Sequence, residues 1–174
     1  MNDYLLIGPD DLAQWTPYSP QINFDQVRHA VLFSQRNYIR PALCDALYEQ
    51  VLEQAQSDTL TPENQALLGQ VIPPLCYYAF AEAVNLIHYQ VRTKGVVVQL
   101  DNTAATANGN EVAAIRKQYE NWGEAYMRDV KAFLKANRAD YPLWDEQCFC
   151  GSKSKSLPGN MMVSRIKSGK LIDF

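Results

Sequence analysis

Apolar residues recur at helical spacing through most of the chain, and one short stretch breaks that rhythm. Residues Pro9 to Trp15 form a first short helix, with proline in its first turn and Asp10 and Asp11 at the favourable end of the helix dipole. Asn23 or Asp25 caps a second helix, in which Val27, Ala30, Val31 and Ser34 share a face as far as about Ile39. Pro41 ends that helix and starts another, because proline disfavours helical geometry in the residue before it. Leu43, Leu47, Val51 and Leu52 line this next helix, with Glu49, Glu53 and Gln56 on its wet side. Thr61-Pro62 is a cap followed by a first-turn proline, with Leu67 and Leu68 after it. A further helix starts near Val71, its opening turn holding or kinked by Pro73-Pro74, and runs to about Val91. It is apolar on nearly every side and belongs in the middle of a bundle or under an interface.

The rhythm changes at Gly95. Val96, Val97, Val98 and Leu100 read as a strand, Asp101-Asn102 as a turn, and Thr103 to Ala107 as a weaker strand, so a hairpin is expected over about 95–107. Asn108-Gly109-Asn110-Glu111 has the spacing of a capping box and opens the longest helix. Along it Val112, Ile115, Tyr119, Trp122, Tyr126, Val130 and Phe133 mark one apolar seam, which places Trp122 and Tyr126 against Phe80, Val84 and Ile87 in the core. Tyr141-Pro142-Leu143-Trp144 folds back as an aromatic clamp. The expected fold is mainly α: a bundle of about four to five helices over 1–147, with the inserted hairpin and an extended C-terminal arm over 148–174.

Charge sharpens this division. Residues 151–174 hold five basic residues and one acid, a balance of +4, so the remainder carries −7 within a total of −3. A basic arm on an acidic body points to docking on something acidic, or to a solvated terminus kept soluble by lysines. The arm follows a Gly-Ser-Lys linker and carries apolar residues that it cannot bury by itself. The start of the chain lacks the pattern of a signal peptide, and the apolar run from Val71 to Ala81 is short for a bilayer, so a reducing cytosol without disulfides is expected.

The sequence offers no specific catalytic pattern. It has no phosphate-binding glycine loop and no G-x-S-x-G elbow. Cys44 and Cys76 read as small core residues, and Cys148-x-Cys150 lacks the second pair that a zinc site needs. Neither an enzyme nor a cofactor or metal is expected. A body this acidic also lacks the basic surface of a sequence-reading DNA binder.

Several segments together resemble the small head-tail connector proteins of tailed phages, also called neck, adaptor or head-completion proteins. They are Ile22-Asn23-Phe24-Asp25, Ala42-Leu43-Cys44-Asp45-Ala46-Leu47-Tyr48, Pro74-Leu75-Cys76-Tyr77-Tyr78-Ala79-Phe80-Ala81, Thr93-Lys94-Gly95-Val96-Val97, the long helix, and Tyr141-Pro142-Leu143-Trp144. The likeness covers roughly residues 20–145 and is greatest to connector-like proteins of Bacteroidetes-type phages and prophages. It implies a virion neck protein, assembled in the host cytoplasm as a ring, commonly of twelve copies. Such a ring docks under the portal protein, extends the channel for passing DNA without reading its sequence, and offers a surface to the tail or further neck proteins. No membrane is implied. Portal contact is expected from Met161, Met162, Val163, Arg165, Ile166, Lys167, Lys170, Leu171, Ile172 and Phe174, and inter-subunit or channel contact from Val96, Val98, Leu100 and Asn102. The other readings are a tail-completion or terminator protein, and a non-viral cytosolic helical interaction module.

Overall fold

A computed structural model describes residues 3–19, 21–92, 95–98 and 109–149, and these are mainly helical. Helix α1 spans Pro9–Trp15. Its N-terminus is closed by the Gly8 N–H, which donates to Asp11 Oδ2 at 2.8 Å. Helix α2 spans Phe24–Ser34 and is capped by Asn23, whose side chain accepts from the Asp25 N–H. The chain then widens into a π-helical turn over Gln35–Ile39 and continues as α3, Arg40–Leu43.

Pro41 therefore does not end a helix as expected. Proline removes an amide donor and crowds the carbonyl four residues earlier. The wider π turn just ahead of it makes room, and the helical path survives to Leu43. The real break comes at Cys44, whose backbone sits at φ 66°, ψ 151°. Glycine favours that region and other residues enter it under strain. Helix α4 then runs from Asp45 to Gln56.

Helix α5 spans Pro62–His88, 27 residues without interruption. The two helices expected on either side of residue 70 are one, and Pro73 and Pro74 lie inside it, both buried. By length and composition Pro62–Val84 is apolar enough to cross a membrane, yet 56% of that window is buried within the protein. Its most extensive packing is against α6, Gly109–Ala136, and next against α2, which makes α5 the central core helix.

After α5 the chain enters strand β1, Tyr89–Arg92, which pairs antiparallel with β2, Gly95–Val98. The hairpin expected over 95–107 is not supported. Its first strand pairs backwards, with residues expected to finish the preceding helix, and residues 99–107 lie outside the described ones. Val91 is the register partner of Val96 in this ladder, and β-branched residues favour a strand over a last helical turn.

The core gathers Leu12, Val27, Val31, Ile39, Leu43, Leu47, Val51, Leu67, Val71, Leu75 and Leu134, all nearly inaccessible. Two long-range clasps close it. Trp144 Nε1–H donates to the Ala42 carbonyl at 3.1 Å, and Tyr141 Oη–H donates to the Glu63 carbonyl at 2.6 Å. Beyond them comes a short α7, Glu146–Phe149. The N-terminal arm is held by the fully buried Gln35. Its Oε1 accepts from the Leu6 N–H at 2.9 Å, while its Nε2 donates to the Tyr4 carbonyl and to Tyr48 Oη.

Two cysteine expectations meet the structure here. Cys76 is a free, buried core thiol as expected. Cys44 is disulfide-bonded, so the expectation of reduced thiols throughout does not hold; its Sγ also lies 3.2 Å from the Asp145 N–H.

Candidate interaction surface

The long helix α6 carries the clearest pattern in the sequence, and the structure turns it. Val112, Gly123, Met127, Val130 and Leu134 are its buried residues. Trp122 and Tyr126, expected in the core, are 42% and 37% exposed, and Ile115 is 37% exposed. Gly123 is the reason. The face that approaches α5 most closely has no side chain at 123, and the Tyr78 ring lies against the bare backbone there. The seam is displaced by one residue, and the large aromatics slide to its edge.

There they form a continuous aromatic surface. Tyr77 of α5 meets Trp122 at a centroid distance of 5.7 Å, Tyr126 at 5.3 Å and Tyr119 at 6.2 Å. Trp15 of α1 meets both Tyr77 and Tyr126 edge-on. Phe80 packs beneath Tyr119 at 4.6 Å. Edge-to-face geometry of this kind adds about 0.5–1.5 kcal/mol per pair beyond area burial. Burial pushes the Tyr77 and Tyr119 hydroxyls up from their ordinary pKa, so both rings stay neutral at physiological pH.

Beside this surface lies a polar knot. Glu82 Oε1 accepts from Arg116 Nη2 at 3.0 Å and from Tyr38 Oη at 3.3 Å. Arg116 also pairs with Glu120, one helical turn on, at 2.8 Å. Tyr38 stacks on Tyr78 at 4.1 Å with rings nearly parallel. Burial first, and then the Glu82 charge, raise the Tyr38 pKa. The knot ties the π turn, α5 and α6 together.

On the α2 side of α5 is a shallow groove of about 260 Å³ lined by His29, Ala30, Phe33, Glu82 and Leu86. Phe33 and Leu86 are 49% and 48% exposed. A second, more polar hollow of about 380 Å³ lies under the clamp, between Gln50, Thr61, Asn64 and residues 140–143.

None of these places has the arrangement of a nucleophile with its base. Burial pushes the Cys76 thiol up to about 12, which leaves it protonated and inert at neutral pH. Among the described residues, no group of three His, Cys, Asp or Glu side chains is placed to hold a metal ion. Of the residues expected from the sequence to make contacts, Val96 and Val98 fall on β2. Leu100 and Asn102 lie outside the described residues. So do Met161, Met162, Val163, Arg165, Ile166, Lys167, Lys170, Leu171, Ile172 and Phe174. Sequence reasoning missed the aromatic surface because it assigned those residues to the core. It also missed the α2–α5 groove, for which Phe33 beside His29 was the available signal.

Residues 39–154 match the model of a family of unknown function, DUF6712. The chain belongs to this family. The match begins at the end of the π turn and takes in α4, α5, α6 and the clamp. The family region therefore contains most of the aromatic surface, while α1, α2 and most of the arm lie outside it. No curated protein and no solved structure matches the chain.

Proposed function

We propose that this DUF6712 member is a virion structural protein, a ring-forming head-tail connector that docks beneath a portal, extends the DNA channel and presents a surface to the tail. The observation that carries the reading is the set of large apolar side chains left half-exposed on a well-packed helical body: Ile115, Trp122 and Tyr126 on one side, Phe33 and Leu86 on another. Apolar surface of this kind, gathered in patches, marks contact with other proteins. The succession of segments that resembles the connectors agrees with it. The mainly helical body counts against a tail terminator, which is expected to be richer in sheet.

In this reading the basic arm over 148–174 docks on the portal through Met161, Met162, Val163 and Ile166, while Arg165, Lys167 and Lys170 meet acidic rims. The β1–β2 pair and the residues after it contact the neighbouring subunit or the channel through Val96, Val98, Leu100 and Asn102. One arm binds modestly, and a ring binds well because many arms engage together. DNA passes without sequence-specific contact, since the acidic body repels phosphates.

The test is co-sedimentation of the purified full chain with a portal protein from the same genome, followed by electron microscopy of the complex. The expected result is a ring coaxial with the portal, lost when the chain is cut after Ser152. A monomer or dimer with no affinity for portal overturns the connector in favour of a cytosolic interaction module.

A further inference from the structure

We propose that the aromatic surface of one copy seats in the α2–α5 groove of a second copy, with Trp122 as the side chain that enters it. The inference rests on the assembly reading and names the faces that the assembly uses. Tyr77 anchors the aromatic surface and Leu86 borders the groove, and both belong to α5. They are nine residues apart, about two and a half turns at ~3.6 residues per turn, and so point to opposite sides of the helix. The two surfaces cannot meet within one molecule. Among the described residues each keeps half-exposed apolar side chains, and joining unlike faces of two copies gives a head-to-tail interface that propagates into a ring or a filament.

The chemistry of the two surfaces matches. On the aromatic surface Trp122 is flanked by Ile115 and Tyr126 and is 42% exposed. The groove is a shallow hollow of about 260 Å³, with the half-exposed Phe33 and Leu86 and the small Ala30 among its lining residues, so its lining is mainly apolar. An indole buried against a partner needs an acceptor for its N–H. The groove supplies one in Glu82, which Arg116 and Tyr38 already hold in place through Oε1. A carboxylate accepts at about four positions, so a further donor can be taken. Tryptophan and tyrosine anchors seated in such hollows are also the side chains that dominate protein–protein contacts.

The experiment uses two full-length variants, Trp122→Glu and Phe33→Glu, one disabling each face. Both sites are exposed, and circular dichroism with thermal melting confirms that each variant folds. Sedimentation velocity at rising concentration should show wild type associating beyond a dimer, and each variant alone as a monomer. An equimolar mixture should give a heterodimer that grows no further, because one intact groove meets one intact aromatic surface. The inference is overturned if Phe33→Glu self-associates like wild type, if the mixture stays monomeric, or if wild type is monomeric at its highest soluble concentration. Portal binding, measured separately, distinguishes the two readings. Head-to-tail growth without portal affinity keeps this interface and removes the connector. Rings on the portal that survive both substitutions keep the connector and remove this interface.

Discussion

Gly123 carries the ring of Tyr78 directly against its backbone. A Cβ placed at Gly123 would lie 2.8–3.0 Å from three carbons of that ring, inside any real contact distance. The ring has nowhere to go, because its other face is stacked on Tyr38. Alanine is a better helix former than glycine by about 1 kcal/mol. The overlap outweighs this, since overpacking a filled core costs about 1–3 kcal/mol. Gly123→Ala should therefore lower the melting temperature. Trimming Tyr78 to leucine should remove most of the penalty in a double-mutant cycle. A higher melting temperature for Gly123→Ala would show that the ring is not held there.

The α6 face makes a second prediction, one that reverses the sequence-based expectation. Trp122→Ala should cost about 1–2 kcal/mol of stability, less than a buried tryptophan, because the indole is 42% exposed and loses mainly its edge contacts with Tyr77 and Tyr119. Leu134→Ala should cost about 2–5 kcal/mol, since that side chain is fully buried. Chemical denaturation of the two variants compares them directly. Equal losses would place Trp122 back in the core.

Gln35 supplies a third. Gln35→Leu keeps the bulk but removes the acceptor of the buried Leu6 N–H and one donor to the Tyr4 carbonyl. Each buried group left unsatisfied costs about 1–3 kcal/mol. The expected result is a lower denaturation midpoint and faster proteolysis within residues 3–19, with α5 and α6 still protected. Unchanged cleavage of the arm would show that other contacts hold it.

The fourth concerns alkaline pH. Burial raises the Cys76 thiol from 9.0 to about 12 and raises the Tyr78 and Tyr48 hydroxyls from 10.0. Above pH 9 for the thiol, and above pH 10 for the two hydroxyls, the unfolded chain releases these protons while the native protein keeps them. Stability is then fully present below about pH 9 and falls as pH climbs toward 12, by about 1.4 kcal/mol per pH unit for each such group. Urea midpoints measured from pH 7 to pH 11 should decline above 9. Cys76 should also ignore a thiol reagent at pH 8 until denaturant is added. A flat profile would mean that these groups are not buried in the native state.

Much of the architecture is written locally. Pro9 with Asp10 and Asp11, Asn23 before Phe24, and Thr61 before Pro62 each mark a helix start, because caps and first-turn prolines act within a few residues. Tyr141 and Trp144 announced the clamp by being two large aromatics after a helix stop. The errors arose where tertiary structure overrode a local rule. Pro41, Pro73 and Pro74 read as boundaries, yet the chain runs helically through all three. Trp122 and Tyr126 read as core because periodicity weighs apolar character and not reach. The bare backbone at Gly123 decided which face of α6 came closest, and a missing side chain leaves no mark in a hydrophobic pattern. Apart from Val96 and Val98 on β2, the expected assembly contacts fall on residues outside the described ones, and the aromatic surface and the α2–α5 groove came from the structure.

The clasps that fasten Trp144 to Ala42 and Tyr141 to Glu63 join residues 102 and 78 positions apart. A ribosome delivers Ala42 long before Trp144. Helices α1 to α4 and the apolar α5 thus emerge before α6 and the clamp, and the face of α5 that packs on α6 is uncovered meanwhile. Contacts this distant slow folding and lengthen the exposure of sticky surface. The core is complete only when the last tenth of the body has been synthesised.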